Sequence, residues 1–155
     1  MPAPRVPRHK VFVQYASGRA QVPLAAHIHR WARAALLRAG RSRACEVTVR
    51  IVDEAEGAQL NRVFRGRECA TNVLSFGYAD APACAGPIGD IVLCAPIVRA
   101  EARALQGPPA AHWAHLVVHG IMHLCGHDHE QPDEAAAMEA LEIRALADLG
   151  YGNPY

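Results

Sequence analysis

Long apolar runs are absent from the sequence: no stretch approaches the roughly 18 apolar residues that a membrane-spanning helix requires. Internal repeats and low-complexity tracts are absent as well. The first ten residues, MPAPRVPRHK, are basic and contain proline but lack the apolar segment of a secretory signal peptide. We therefore predict a cytoplasmic protein without a membrane segment.

The sequence also lacks paired cysteines. Its five cysteines are odd in number, widely separated and without a CxxC pair, so we predict free thiols rather than a disulfide framework. They are Cys45, Cys69, Cys84, Cys94 and Cys125.

Aromatic residues are scarce, at 6% of the chain, and several fall on the apolar faces of predicted elements. Few of them are therefore expected on the surface, where they could stack on nucleic-acid bases. Any binding to nucleic acid would then be mainly electrostatic and would weaken steeply with salt.

The net charge of +1 conceals an uneven distribution. Residues 1–50 contain ten Lys or Arg and one acidic residue, whereas residues 101–155 contain two basic and eight acidic residues. A basic first third is typical of a polyanion-binding surface. A solvated, arginine-rich helix face would produce the same pattern.

The length of 155 residues, with 51% hydrophobic and 20% charged residues, predicts one globular domain over residues 1–155. Hydrophobic periodicity and turn residues predict an α+β or α/β layered fold. The predicted strands span 11–15, 46–53, 72–78 and 89–96, the last two forming an antiparallel pair. The predicted helices span 23–39, 54–63, 97–105, 110–125 and 131–149.

The chemically informative stretch is HGIMHLCGHDH, residues 119–129, which contains four histidines. His119 and His123 are one turn apart on the predicted helix, and Gly126 can end that helix and bring His129 back to the same point. This H-x-x-x-H-x-x-G-x-x-H spacing is that of the zinc site in metzincin peptidases. Three imidazoles with an open fourth position are typical of a catalytic zinc. The alternative is a histidine-rich helix whose imidazoles have other hydrogen-bond partners.

The glutamate that a zinc peptidase needs directly after its first histidine is missing, because Gly120 occupies that position. Peptide hydrolysis by the usual route is therefore disfavoured. A glycine within a helix costs about 1 kcal/mol relative to alanine, so we expect a reason for it, such as room beside the metal.

Several segments together resemble the YbeY family of bacterial metal-dependent endoribonucleases, which act in ribosomal RNA maturation. HGIMHLCGHDH is similar to the family signature H-G-x-L-H-L-x-G-Y-D-H. LNRVFRGRECATNVLSF (60–76) resembles L-N-x-x-Y-R-G-x-D-x-x-T-N-V-L-S-F, and GDIVLC (89–94) matches a G-D-I strand. AHWAHLVVHG (111–120) and ALADLGYGNPY (145–155) also fit, so the resemblance covers nearly the whole chain from about residue 46.

The resemblance implies an α+β fold with a small mixed four-stranded sheet, about five flanking helices and the metal-bearing helix at the centre. It implies one Zn²⁺ per chain on His119, His123 and His129. It also implies that Arg65 acts on the RNA, and a guanidinium is well suited to bind phosphate and to stabilise the charge that grows during cleavage.

Four residues depart from the family pattern: Phe64 replaces tyrosine, Glu68 aspartate, Gly77 proline and His127 tyrosine. The last substitution adds an imidazole two residues before His129. We retain His129 as the third ligand, because its spacing is the one that the Gly126 turn serves. His127 is then available to hydrogen-bond phosphate.

From the residues and the resemblance we predict a zinc-dependent endoribonuclease specific for single-stranded RNA, with Arg65, His119 and His123 as catalytic residues. It would act in 3′ end maturation of small-subunit rRNA and in ribosome quality control, in contact with small-subunit proteins and assembly factors. His115 and Asp128 are candidates for the general base, but orientation of the zinc ligands is the role expected of both. The alternatives are a ribosome-associated zinc protein with an indirect role in assembly and a metallohydrolase of a non-RNA substrate.

Overall fold

The four strands form one mixed sheet, and the consecutive apolar residues 91–94 of one central strand place side chains on both of its faces. The computed structural model describes residues 2–3, 5–78 and 85–155. Within these ranges it contains four strands and five helices, which confirms the predicted α+β fold. In chain order they are β1 (Lys10–Ala16), α1 (Ala25–Arg38), β2 (Cys45–Val52), α2 (Glu54–Arg65), β3 (Val73–Gly77), β4 (Gly86–Cys94), α3 (Ala95–Leu105), α4 (Pro109–Leu124) and α5 (Pro132–Asp148).

The sheet has the strand order β1-β2-β4-β3. β1 pairs with β2 and β2 with β4 in parallel, whereas β3 pairs antiparallel with β4, as predicted. The edge strand β3 is therefore the only antiparallel strand of the described sheet, and its outer side is left for a cleft.

Two apolar clusters cover the two faces of the sheet. The larger cluster joins Val49, Ile51 and Leu93 of the sheet to buried residues of α1, α4 and α5. The smaller cluster contains Val52 and Val92 and packs against α2 and the start of α3. α4 contacts α1, α3, α5, β3 and β4, so the helix that contains the histidines lies at the centre of the fold, as the resemblance implies.

The reason for Gly120 differs from the expected one. A Cβ atom at this position would lie 3.0 Å from Cδ1 of Ile91 and nearly as close to two other atoms of that side chain. Gly120 therefore allows α4 to approach β4 closely, because the space that a side chain would need is filled by the sheet. The expectation that it makes room beside the metal was wrong.

One detail of the predicted helices also changes. Leu24 lies within the predicted helix 23–39 but is 60% exposed, because the helix begins only at Ala25. The four described cysteines are free thiols, as predicted, and Cys84 lies outside the described residues. None of the helices in the described ranges is both long and apolar enough to span a bilayer.

Candidate metal centre

The end of α4 brings the three spaced histidines together. Gly126 adopts φ +93°, the left-handed conformation that glycine tolerates best. The amide of Gly126 donates to the carbonyl of His123 and the amide of His127 to that of Met122, both at 3.0 Å. These two bonds form a Schellman motif, which ends the helix and reverses the chain. His129 is thereby returned towards the last turn of α4.

The rings of His119, His123 and His129 surround one point. Their centroids lie 4.6 Å (119–123), 5.0 Å (123–129) and 5.5 Å (119–129) apart. One nitrogen from each ring lies within 4.8 Å of the others, so the three residues could hold a metal ion.

The donor set fits zinc. The Nε2 atoms of His119 and His123 lie 3.1 Å apart, close to the separation of about 3.3 Å between two nitrogens on a tetrahedral zinc ion. Burial, followed by the charges of His119 and His129, lowers the pKa of His123. The neutral imidazole that binds a metal is therefore the favoured form of His123.

Glu142 of α5 is hydrogen-bonded to His119, the first histidine of the group. Its side chain is fully buried, and its Oε1 accepts a hydrogen bond from Nδ1 of His119 at 2.6 Å. That bond places the proton on Nδ1 and leaves the lone pair of Nε2 for a metal. Burial opposes ionisation of Glu142, but the hydrogen bonds from His119 and Tyr155 outweigh it and lower its pKa. The carboxylate is thus charged and oriented.

Sequence reasoning missed Glu142, although the sequence contained a signal. The apolar residues of the predicted helix 131–149 are expected on its buried side, and among them are Met138, Leu141, Ile143, Leu146 and Leu149. In the structure Met138 and Leu146 are buried, and Glu142, midway between them at helical spacing, is buried with them. A lone glutamate on an apolar stripe indicates a buried partner for its charge.

Tyr155 completes the network around Glu142. Its hydroxyl donates to Oε2 of Glu142 at 2.5 Å, and Nε2 of His115 lies 3.3 Å from the same hydroxyl oxygen. Because the hydroxyl proton is directed to Glu142, His115 donates to Tyr155. Burial, and then the hydrogen bond to Glu142, raises the pKa of Tyr155. His115 is therefore linked to His119 through Tyr155 and Glu142.

The three-histidine group opens onto a cleft of about 1140 Å³ between α4 and the edge strand β3. Arg65, in the last turn of α2, also lines this cleft. Its Nη2 donates to the carbonyl of Ser75 at 2.8 Å, and its guanidinium carbon lies 5.9 Å from the ring centroid of Phe76. The arginine that the sequence singled out and the three histidines therefore line one cavity.

The other predicted residues are divided between the cleft and the protein interior. His127 and Asp128 line the cleft, and Oδ1 of Asp128 accepts from the backbone amide of His129 at 2.7 Å. His115 does not line it and instead contacts Tyr155. Gly120 is buried against β4, so position 120 offers no side chain to the cleft.

Part of the basic charge in residues 1–50 is neutralised within the protein. Arg38 makes two hydrogen bonds to the carboxylate of Asp148, at 2.6 and 2.7 Å, and Arg50 makes two to Glu56. These pairs join the basic first third to acidic residues elsewhere in the chain. The ten cations are thus not all available to a polyanion.

Comparisons with known proteins find relatives over most of the chain. The family model described as "Endoribonuclease YbeY" matches residues 14–150. Proteins named "Endoribonuclease YbeY" are 50% identical over 147 residues in Alkalilimnicola ehrlichii (92% of this chain, 89% of the relative) and 55% identical over 140 residues in Aromatoleum aromaticum (90% and 86%). A solution structure of a Thermotoga maritima protein has a similar fold, with a TM-score of 0.59 and 23% identity over 90% of this chain and 91% of the other.

Proposed function

The chain belongs to the YbeY family of endoribonucleases, and from this premise we propose that it cleaves single-stranded RNA at a zinc ion held by His119, His123 and His129. The observation that carries the proposal is the convergence of three imidazoles, backed by the buried Glu142, on a cleft that Arg65 also lines. Members of this family are endoribonucleases, which are hydrolases that act on RNA.

The three proposed metal ligands are held in place by different parts of the structure. Two of them lie one turn apart on the buried helix α4, and the third is placed by the Gly126 turn. Glu142 fixes the tautomer of His119. A zinc ion in such a site polarises a phosphoryl oxygen or lowers the pKa of a water molecule towards 7.

Arg65 binds the scissile phosphate in this proposal. Its hydrogen bond to Ser75 uses Nη2 and leaves other guanidinium donors for an anion. Held at the edge of β3, the guanidinium lies on the wall of the cleft that the metal site also lines. It can therefore contact a phosphate at the metal and stabilise the additional negative charge of the transition state.

The two residues before His129, the proposed third ligand, have different roles. Asp128 positions the backbone of His129 through its side-chain hydrogen bond. His127 lines the cleft and provides a second nitrogen donor for phosphate oxygens. The absence of a carboxylate at position 120 argues against the peptidase mechanism, in which that group takes the proton from water.

We propose further that the whole chain, residues 1–155, is one catalytic domain that acts in the cytoplasm. Its substrate would be ribosomal RNA, in 3′ end maturation of the small-subunit rRNA and in ribosome quality control. Small-subunit proteins and assembly factors would be its partners. These points rest on membership of the family and on the basic charge of the first third of the chain.

The test is cleavage of a labelled single-stranded RNA by protein of measured zinc content. A double variant, His119→Ala with His123→Ala, serves as the metal-free control. Activity that follows zinc content and disappears in the double variant supports the proposal. Stoichiometric zinc without cleavage would contradict it and favour a ribosome-binding role. Cleavage of casein or a simple phosphodiester, but not of RNA, would favour another hydrolase.

A further inference from the structure

The chain has only three phenylalanines, and two of them meet beside Arg65. Phe64 precedes Arg65 in the last turn of α2, and Phe76 follows Ser75, whose carbonyl accepts from Arg65. The two rings meet edge to face, with centroids 5.1 Å apart and an interplanar angle of 62°. Two of the three phenylalanines therefore lie beside Arg65, a residue that lines the cleft of the metal centre.

The two rings differ in their surroundings. Phe76 packs against the smaller apolar cluster and is partly buried, so its position is fixed by the sheet. Phe64 is 62% exposed, and its aromatic surface is largely in contact with water. Because the rings meet edge to face rather than stacked, Phe76 can cover at most one face of Phe64. Phe64 thus exposes a flat apolar surface, and its contact with Phe76 holds the ring in place.

The charge around Phe64 favours a nucleic acid as the occupant of this surface. The segment RVFRGR, residues 62–67, contains Phe64 together with the exposed Arg62, Arg65 and Arg67. Arg65 and Arg67 also line the cleft of the metal centre. Aromatic rings among cations along a groove are the arrangement by which proteins bind single strands, with bases stacked on the rings and phosphates on the cations.

We propose that Phe64 is a base-stacking residue: it binds the base of a nucleotide adjacent to the phosphate that Arg65 holds. This inference rests on the proposed function, because it assigns a subsite to the same RNA cleft. Phe64 would bind a nucleobase of any type, since every base has a face that can stack on an aromatic ring. The site therefore contributes affinity and register rather than sequence choice.

The test separates base contacts from phosphate contacts. Binding is measured with two labelled probes, a single-stranded RNA 12-mer and an abasic ribose-phosphate oligomer of equal length, and the RNA is checked for intactness afterwards. The variants are Phe64→Leu, which retains an apolar side chain against Phe76, and Phe64→Trp, which retains a ring. Leu105→Ala, at an exposed apolar position at the end of α3, is the matched control.

Phe64→Leu should bind the RNA roughly 5- to 150-fold more weakly, the loss expected for one stacked base, and bind the abasic oligomer as the unmodified protein does. Phe64→Trp should retain RNA binding, and Leu105→Ala should change neither affinity. Equal affinities of Phe64→Leu and the unmodified protein for the RNA would overturn the inference. So would an equal loss with both probes, which indicates that Phe64 acts only by positioning Arg65.

The proposed function fails separately from this inference. If the unmodified protein binds RNA in preference to the abasic oligomer and yet does not cleave the RNA, that result would support the stacking site and contradict the proposed nuclease activity. If the Phe64→Leu variant and the unmodified protein cleave RNA with the same KM, the nuclease activity is supported and the stacking site is contradicted.

Discussion

Nδ1 of His119 lies 2.6 Å from Oε1 of Glu142, so a fully buried carboxylate of α5 orients a histidine of α4. The two residues are 23 positions apart, and the hydrogen bond joins two helices that pack against each other. The geometry is that of a carboxylate–histidine–metal arrangement, in which the carboxylate makes the imidazole a stronger ligand.

Glu142→Gln should weaken zinc binding about 10- to 100-fold while leaving the protein folded. The amide oxygen can still accept from His119, but the negative charge that strengthens the ligand is lost. Zinc affinity is measured by competition with a chromophoric chelator. Glu134→Gln, an exposed change in the first turn of α5, is the matched control. Unchanged affinity in Glu142→Gln would show that Glu142 does not support the metal.

Tyr155→Phe should lower the free energy of unfolding of the zinc-free protein by about 1.5–3 kcal/mol. The substitution removes the hydroxyl that donates to Oε2 of Glu142 and leaves a buried, charged oxygen without that partner. Urea titration measures the loss. Tyr151→Phe is the control, because within the described residues the Tyr151 hydroxyl has no hydrogen-bond partner. Equal stabilities of the two variants would contradict this role of Tyr155.

Arg65→Ala should reduce the rate of RNA cleavage by roughly 10²–10³-fold with no change in zinc content. Arg65 touches none of the three histidines and is anchored to Ser75 instead. Arg65→Lys keeps the charge but loses the planar, bidentate donor, so it should recover only part of the activity. Zinc is quantified in each preparation. Loss of zinc from Arg65→Ala would mean that the arginine is structural.

The protein should lose stability in acid partly through His9. Burial, and then the charges of Arg41 and Arg33, lowers the pKa of His9 below its ordinary value. Nδ1 of this ring accepts from the amide of Cys45 at 3.0 Å, and a proton there would remove the acceptor. The stabilisation is therefore complete above the unfolded pKa of about 6.5 and decreases as the pH falls from there towards the lower folded value.

His9→Asn is the informative change for this pH dependence, since the amide oxygen can replace Nδ1 as acceptor but does not titrate. Urea unfolding between pH 8 and pH 5 should show a smaller loss of stability in His9→Asn than in the unmodified protein. The other histidines are common to both proteins, so the difference isolates His9. Parallel stability curves would rule out this contribution.

The sequence predicted the elements of local origin and missed those that depend on tertiary packing. The convergence of His119, His123 and His129 follows from helical spacing and one glycine turn, all within eleven residues. Glu142 could not be assigned to His119 in the same way, because the packing angle of α5 on α4 decides which face of α5 meets the ligand. The real reason for Gly120 depends in turn on Ile91 of the sheet.

Arg65 illustrates the same limit. Its motif suggested a role on the RNA, but its place in the histidine cleft depends on its hydrogen bond to Ser75 of the edge strand β3, against which α4 packs. The prediction that few aromatic residues lie on the surface did not include the pair Phe64 and Phe76. Composition gives the number of phenylalanines, whereas their grouping at Phe64 and Phe76 arises only when α2 packs on β3.

The Gly126 turn gives the three imidazoles unequal freedom. His119 is only 22% exposed and braced by Glu142, whereas His129 is 57% exposed and lies on the loop beyond the helix. We expect metal exchange to begin and end at His129: this ring detaches first when the ion leaves and closes last when it enters. The lifetime of the bound ion would then be set by the opening rate of a short loop, independently of the stability of the buried helix.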